Sequence, residues 1–392
     1  MAKLINLAVF RKFSESSSFG GILLLLCVAL SLIIANTNLA SGFEKLLTNE
    51  IGFASTSIHL KYSVLTWIND GLMAVFFLLV GLEIKREIVE GELSSFKQAS
   101  LPVLAAIGGV IVPAVIYSLI NNGSSTANGW GIPMATDIAF ALGILSLLGS
   151  RVPTGLKIFL AALAIVDDLM AILVIAIFYS SELHLNYLAY AGGMLALQIA
   201  FNRFGVKNIF FYIIPGIVMW YFIHHSGIHA TIAGVLTALT LPTTEDDVES
   251  PLEKLEHALT SPVNYIIMPI FAIANTNITF ESGMISGLTG NLGLGIVLGL
   301  FLGKPIGIFL MSWLSVKLKI AQLPDETNWL HVAGLGLLGG IGFTMSIFIA
   351  LLSFNDPAMQ THAKFAVLIA SVLSGIAGYL LLSTHNKKSQ QG

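Results

Sequence analysis

The sequence predicts an all-α polytopic membrane protein of about twelve transmembrane helices, built as inverted repeats with two broken helices around 129–148 and 330–352. Composition is the first of three observations behind this. Of 392 residues, 55% are hydrophobic and only 10% charged, and a mean hydropathy of +0.85 excludes a soluble globular chain. The second is charge in a costly place. Asp167 and Asp168 stand side by side in the apolar run from Ile158 to Phe178, where a central Asp costs roughly 2.5–3.5 kcal/mol. The third is a pair of apolar stretches interrupted by Gly and Pro, one early and one late in the chain.

Taken in order, residues 3–13 set Lys3, Arg11 and Lys12 against Leu4, Leu7 and Phe10, the pattern of an amphipathic helix on the membrane surface. The run from Phe19 to Ala35 is long for a signal peptide and reads as a retained first span. Residues 41–61, rich in Ser, Thr and Ile, read as a small extramembrane hairpin, on the periplasmic side. Apolar spans follow at 63–84, 99–120, 129–148, 154–179, 187–203, 208–223, 227–241, 258–276, 289–315, 330–352 and 362–383. Short polar joints separate them, so 1–392 is a single membrane domain. One alternating set of joints collects most Lys and Arg, from Lys3 to Lys388, and the other has little beyond Lys45, Lys61 and Lys364. By the positive-inside rule both termini are cytoplasmic.

The broken segments are Gly129-Trp130-Gly131-Ile132-Pro133-Met134-Ala135-Thr136-Asp137-Ile138 and the glycine-rich stretch from Gly334 to Ile347. They align loosely, Gly131-Ile132 with Gly340-Ile341 and Thr136-Asp137-Ile138 with the stretch from Thr344. Such pairs mark transporters whose site lies at the bilayer midplane. Half-helix ends carry partial charges that need partners in low dielectric. Asp137 suits the positive ends; Lys304, the intramembrane base, suits the negative ends or an aspartate. One helix step turns Asp167 and Asp168 about 100° apart, so both can reach one crevice without pointing the same way. Three carboxylates against one ammonium leave excess negative charge, which protons or a cation must balance. If only the loaded forms switch access, the result is cation/proton exchange, and oxygen ligands from Asp and the Thr136 hydroxyl suit Na⁺ or Li⁺.

Other signals are weaker. Cys27 reads as a buried hydrophobe, and the nine histidines lack ligand spacing. No cofactor site, phosphate loop or nucleophile elbow stands out, and nothing points to nucleic acid. Glu83, Lys85, Arg86 and Glu87 form a charge cluster at a cytoplasmic helix end. Ser250-Pro251-Leu252-Glu253 fits a capped helix start that leaves Glu256 free. His224, His225 and His229 fall near the outer side, and Asp70 reads as structural.

The motifs Trp67-Ile68-Asn69-Asp70, Phe76 to Glu87, Ala135 to Ala141, Ala164 to Asp168, Gly303-Lys304-Pro305 and Gly340 to Ile349 resemble the NhaA sodium/proton antiporters over nearly the whole chain. That resemblance implies an inner-membrane, electrogenic exchanger, not an enzyme, which expels Na⁺ or Li⁺ against protons, is activated at alkaline pH and serves sodium and pH homeostasis. It implies that Asp167 and Asp168 bind the ion and protons with Thr136 beside them. Asp137 and Lys304 compensate the crossed half-helices, with Lys304 also able to pair with Asp167. Family pH-response positions fall on Glu83, Glu87, His229 and Glu256. No cofactor is implied; the partners are Na⁺, Li⁺, H⁺, membrane lipid and a second copy in a homodimer. The chain departs from the family at Thr260, where a further histidine can occur, and in the acidic loop Glu245-Asp246-Asp247-Val248-Glu249.

Two rivals are distinguishable. An intramembrane aspartyl protease needs Asp on separate helices with a Gly-x-Gly-Asp signature, which is absent. A sodium-coupled solute symporter of related fold would need a larger substrate cavity.

Overall fold

A computed structural model describes residues 17–55, 59–180, 182–243, 249–281 and 283–389. The surface helix expected at 3–13 and residues 245–248 of the acidic loop lie outside the described residues. Helix α1 (Ser17–Ala35) is followed by α2 (Ala40–Thr48) and by antiparallel strands β1 (Glu50–Ala54) and β2 (His59–Ser63). Then come α3 (Val64–Val89) and α4 (Phe96–Ile120). A 3₁₀ stretch Ala127–Met134 leads through an extended break into α5 (Ile138–Leu147). Next are α6 (Thr154–Phe178), α7 (Leu185–Arg203), α8 (Phe210–His224) and α9 (Ile232–Thr240). The chain closes with α10 (Pro251–Asn275), α11 (Met284–Gly287), α12 (Asn291–Lys317), α13 (Trp329–Gly339), α14 (Phe343–Ser353) and α15 (Pro357–Ser389).

Among the described residues seven helices are long and apolar enough to cross a membrane, and up to nine if each bent pair is one span. The remaining expected spans are shorter or more polar helices. The clearest difference is at 227–241, where the helix covers only Ile232–Thr240. Gly227 adopts a left-handed φ of 89° and turns the chain before it. At 1.5 Å per residue, nine residues reach about 14 Å, less than half a hydrocarbon core. At 41–61 the chain forms α2 and the hairpin, paired from Glu50↔Ser63 to Ala54↔His59.

The chain divides into two compact units. The first comprises 1–29, 100–167 and 281–392. Here α12 places Gly295, Gly299, Gly303 and Gly307 at every fourth position. A Cβ on Gly307 would stand 2.0 Å from the Gly108 carbonyl oxygen, and one on Gly303 would stand 2.9 Å from Pro113 Cα. Small residues on one face let α12 approach α4 backbone to backbone. That approach holds Lys304, one residue beyond the π-helical turn Gly299–Gly303, in the interior. The two broken elements also lie in this unit, and the axes of α13 and α14 differ by 46°.

The second unit comprises 30–99 and 168–280. Helix α3 packs on α9 so closely that a Cβ on Gly234 would stand 2.2 Å from the Ala74 carbonyl oxygen. Lys85 Nζ donates to the Leu239 carbonyl at 2.9 Å and to that of Leu241, closing the negative end of α9. Beneath lies a core of Leu82, Tyr212, Ala238, Leu241 and Leu252. Helix α10 begins as its sequence predicts: Glu253 N donates to Ser250 Oγ at 3.2 Å, and Ser250 N donates to Glu253 Oε2 at 2.7 Å.

Candidate functional site

The site in the first unit is built on two interruptions. Pro133 and the extended residues Ala135 and Asp137 end the 3₁₀ stretch, and Gly340-Ile341-Gly342 separates α13 from α14. Each break strands backbone donors and acceptors that a hydrocarbon environment cannot solvate. The elements satisfy one another. Asp137 N donates to the Ile341 carbonyl at 2.6 Å, and Ser346 Oγ donates to the Ile132 carbonyl at 2.7 Å.

Asp137 serves two positive helix ends at once. Its Oδ1 accepts from Phe140 N of α5 at 3.2 Å, and its Oδ2 accepts from Thr344 N of α14 at 3.0 Å. Thr344 Oγ1 also donates to Oδ2. With three donors on a carboxylate only 1% exposed, Asp137 is occupied by the protein itself.

The negative ends are met differently. Lys304 Nζ donates to the Met134 carbonyl, the last of the 3₁₀ stretch. The same ammonium lies 2.7 Å from Asp167 Oδ2, with both side chains fully buried. Thr136 Oγ1 stands 2.6 Å from Asp167 Oδ2 and 2.9 Å from the carbonyl oxygen of Gly339, the last residue of α13. One hydroxyl proton thus faces two acceptors, and it can serve the carbonyl fully only when Asp167 needs none of it. The other carboxylate oxygen, Asp167 Oδ1, is buried and has no hydrogen bond among the described residues. Asp168, the next residue of α6, is 3% exposed and opens the second unit's part of that helix.

Arg86 Nε donates to both carboxylate oxygens of Glu256 at 3.0 Å, while its Nη1 lies 3.0 Å from Glu87 Oε1. Glu83 is one turn back on the same helix. His229 does not join this group. Its Nε2 lies 3.6 Å from Asp70 Oδ1, and His224 Nδ1 lies 3.4 Å from Asp70 Oδ2. Asp70 and Glu87 are separated by 17 positions of α3, about 25 Å along the axis.

A family model described as Na+/H+ antiporter 1 matches residues 11–382. The chain belongs to the Na⁺/H⁺ antiporter family. Similar relatives of that family include "Na(+)/H(+) antiporter NhaA 2" of Flavobacterium johnsoniae, 72% identical over all of this chain and 96% of the relative. The "Na(+)/H(+) antiporter NhaA" of Flavobacterium psychrophilum is 50% identical over 95% of each chain, and that of Bordetella parapertussis is 49% identical over 96% of each.

For this antiporter-family chain the structure brings Thr136, Asp137, Asp167 and Lys304 into one buried network in the first unit. Glu87 and Glu256 meet through Arg86 in the second, where His229 stands apart beside Asp70. Sequence reasoning did not single out Arg86 as the bridge, nor Thr344 and Ser346 as members of the crossing. The signal for Thr344 was present: in the internal alignment it stands at the level of Thr136-Asp137.

Proposed function

We propose that this chain is an electrogenic antiporter that expels Na⁺ or Li⁺ in exchange for a larger number of protons by alternating access. The observation that carries the reading is the division of labour among the buried charges. Asp137 is saturated by donors from two half-helices, so it compensates their positive ends rather than binding cargo. Lys304 compensates a negative end and neutralises Asp167. Asp168 adds a further carboxylate, leaving a negative excess that a monovalent cation or protons must balance.

In this reading a Na⁺ or Li⁺ ion takes oxygen ligands from Asp167, Asp168 and the Thr136 hydroxyl, and its charge displaces the Lys304 ammonium from Asp167. Protonation of the same carboxyls releases the ion. Cation and protons therefore exclude one another at one place, and an empty, charged form is too costly to change access. Net entry of positive charge with each outward cation makes the exchange electrogenic.

The Glu83, Glu87 and Glu256 carboxyls around Arg86, together with His229, set an alkaline activation range in this proposal. The uneven distribution of Lys and Arg supports a bacterial inner-membrane protein with both termini cytoplasmic. The exposed hairpin supports a homodimer embedded in lipid. The protein acts as a transporter without a catalytic centre or cofactor.

The test is dequenching of a pH-sensitive dye in everted vesicles after adding Na⁺ or Li⁺, from mildly acidic to alkaline pH, for wild type and Asp168→Asn. A cation-dependent signal that grows toward alkaline pH and vanishes in the variant supports the reading. A silent but well-inserted wild type would sink it, and sodium-driven solute uptake by that protein would favour a symporter.

A further inference from the structure

The break between α13 and α14 rests on α15, which runs past it along one continuous face. Ser371, Ser374, Gly375 and Gly378 recur at helical spacing on that face. Each meets the broken element. Phe343 N, the first N–H of α14, donates to Ser371 Oγ at 3.1 Å. A Cβ on Gly340 would stand 2.8 Å from Ser374 Oγ; one on Gly375 would stand 3.6 Å from Ile341 Cδ1, and one on Gly378 2.7 Å from Leu338 Cδ2. Ser371 thus caps α14 from outside, while Thr344 N, the next N–H, goes to Asp137.

Ser374 differs. It is 0% exposed, and its hydroxyl has no hydrogen bond among the described residues. A buried hydroxyl without a partner is destabilising, and an apolar small residue would avoid that cost. Yet Ser374 lies one turn from the serine that holds the break, against backbone that has no side chain to shield it.

We propose that Ser371 and Ser374 are two alternative hydrogen-bond stations for the Gly340–Phe343 break, the first used in this state and the second taken when the break moves along α15 during transport. One-turn displacements between two discrete packings are a recognised form of switching. Gly375 and Gly378 continue the same face past Ser374 and let α15 lie close against the side chains of Ile341 and Leu338. Ser371 and Ser374 are positioning residues: they act on the break, whose flanking residues Gly339 and Thr344 contact Thr136 and Asp137, and not on the cation. The inference rests on the antiport reading, because only transport requires the second position.

The experiment uses the full-length protein in proteoliposomes, with turnover and apparent KM for Na⁺ from dye dequenching and the thermal midpoint measured in detergent. Ser374→Ala removes a buried hydroxyl that is unpartnered in this state, so the midpoint should hold or rise while kcat falls about fivefold, the loss of one hydrogen bond. Ser374→Cys keeps the volume and bonds weakly, and should behave like Ser374→Ala. Ser371→Ala should lower the midpoint, and Ser371→Thr should restore it. Wild-type kcat in both Ser374 variants would overturn the proposal, as would a wild-type kcat confined to Ser374→Cys, which assigns Ser374 to packing. Wild-type protein that exchanges no Na⁺ for protons would overturn the antiport reading and this proposal together, whereas the Ser374 outcomes leave the antiport reading standing.

Discussion

Lys304 and Asp167 meet at 2.7 Å with neither side chain exposed to solvent. An ion pair in such surroundings is held by geometry and additional hydrogen bonds rather than by Coulomb attraction alone, because desolvation opposes it. Met134 supplies a carbonyl to the ammonium, and Thr136 supplies a hydroxyl to the carboxylate. Removing one partner alone strands the other charge. Lys304→Gln should therefore lower stability by about 3–5 kcal/mol, read as a fall in thermal midpoint. The double variant Asp167→Asn, Lys304→Gln should recover part of that loss, and a midpoint no higher than that of Lys304→Gln would count against the coupling.

Asp137 accepts from two helix N-termini, so its substitutions should rank by how many donors they abandon. Asp137→Ala leaves Phe140 N, Thr344 N and the Thr344 hydroxyl without their acceptor. At about 1–3 kcal/mol for each buried unsatisfied group, a loss of about 3 kcal/mol or more is expected. Thr344→Val removes one donor and keeps the backbone bond, so about 1 kcal/mol is expected. Chemical denaturation in detergent gives the order, and equal losses for the two would contradict it.

The contact between Gly108 and Gly307 sets the depth of Lys304. A Cβ at 108 would stand 2.2 Å from the Gly307 carbonyl oxygen, and backbone cannot rotate away as a flexible side chain can. Gly307→Ala should cost about 1–3 kcal/mol through overpacking and reduce Na⁺ transport by shifting Lys304, one turn earlier. Gly193→Ala on α7 is the control, since its Cβ meets nothing within 4 Å. It should stabilise the protein by about 0.5–1 kcal/mol, with transport unchanged.

Ser250→Ala removes both the acceptor for Glu253 N and the partner that orders Glu253 in the capping box. A loss of about 1 kcal/mol is expected. Ser250→Asp should retain most of the stability, because its carboxylate accepts the same N–H. A midpoint for Ser250→Asp as low as that of Ser250→Ala would show that the cap contributes little.

Much of the architecture is legible in the order of residues because it is local. Twelve apolar segments, the Gly and Pro interruptions around 133 and 340, the aspartates at the middle of α6 and the cap at Ser250 each depend on neighbours within a turn or two. Hydrophobic length, backbone propensity and the cost of charge in hydrocarbon act at that range. The fold class follows, and so does the expectation that charges at 137, 167, 168 and 304 belong to function.

Pairings across the chain are another matter. Lys304 joins Asp167 across 137 positions, Thr344 joins Asp137 across 207, and Arg86 joins Glu256 across 170. His229 and Glu256 are 27 positions apart, yet one joins Asp70 and the other Arg86. Which partner each buried group acquires depends on how closely helices approach, as at Gly307 and Gly108, and on which carbonyls a break exposes. Residue order sets where charge and interruption occur. Their partners come from packing, because buried polar groups pair with whatever donor or acceptor it brings into hydrogen-bond range, at any separation along the chain.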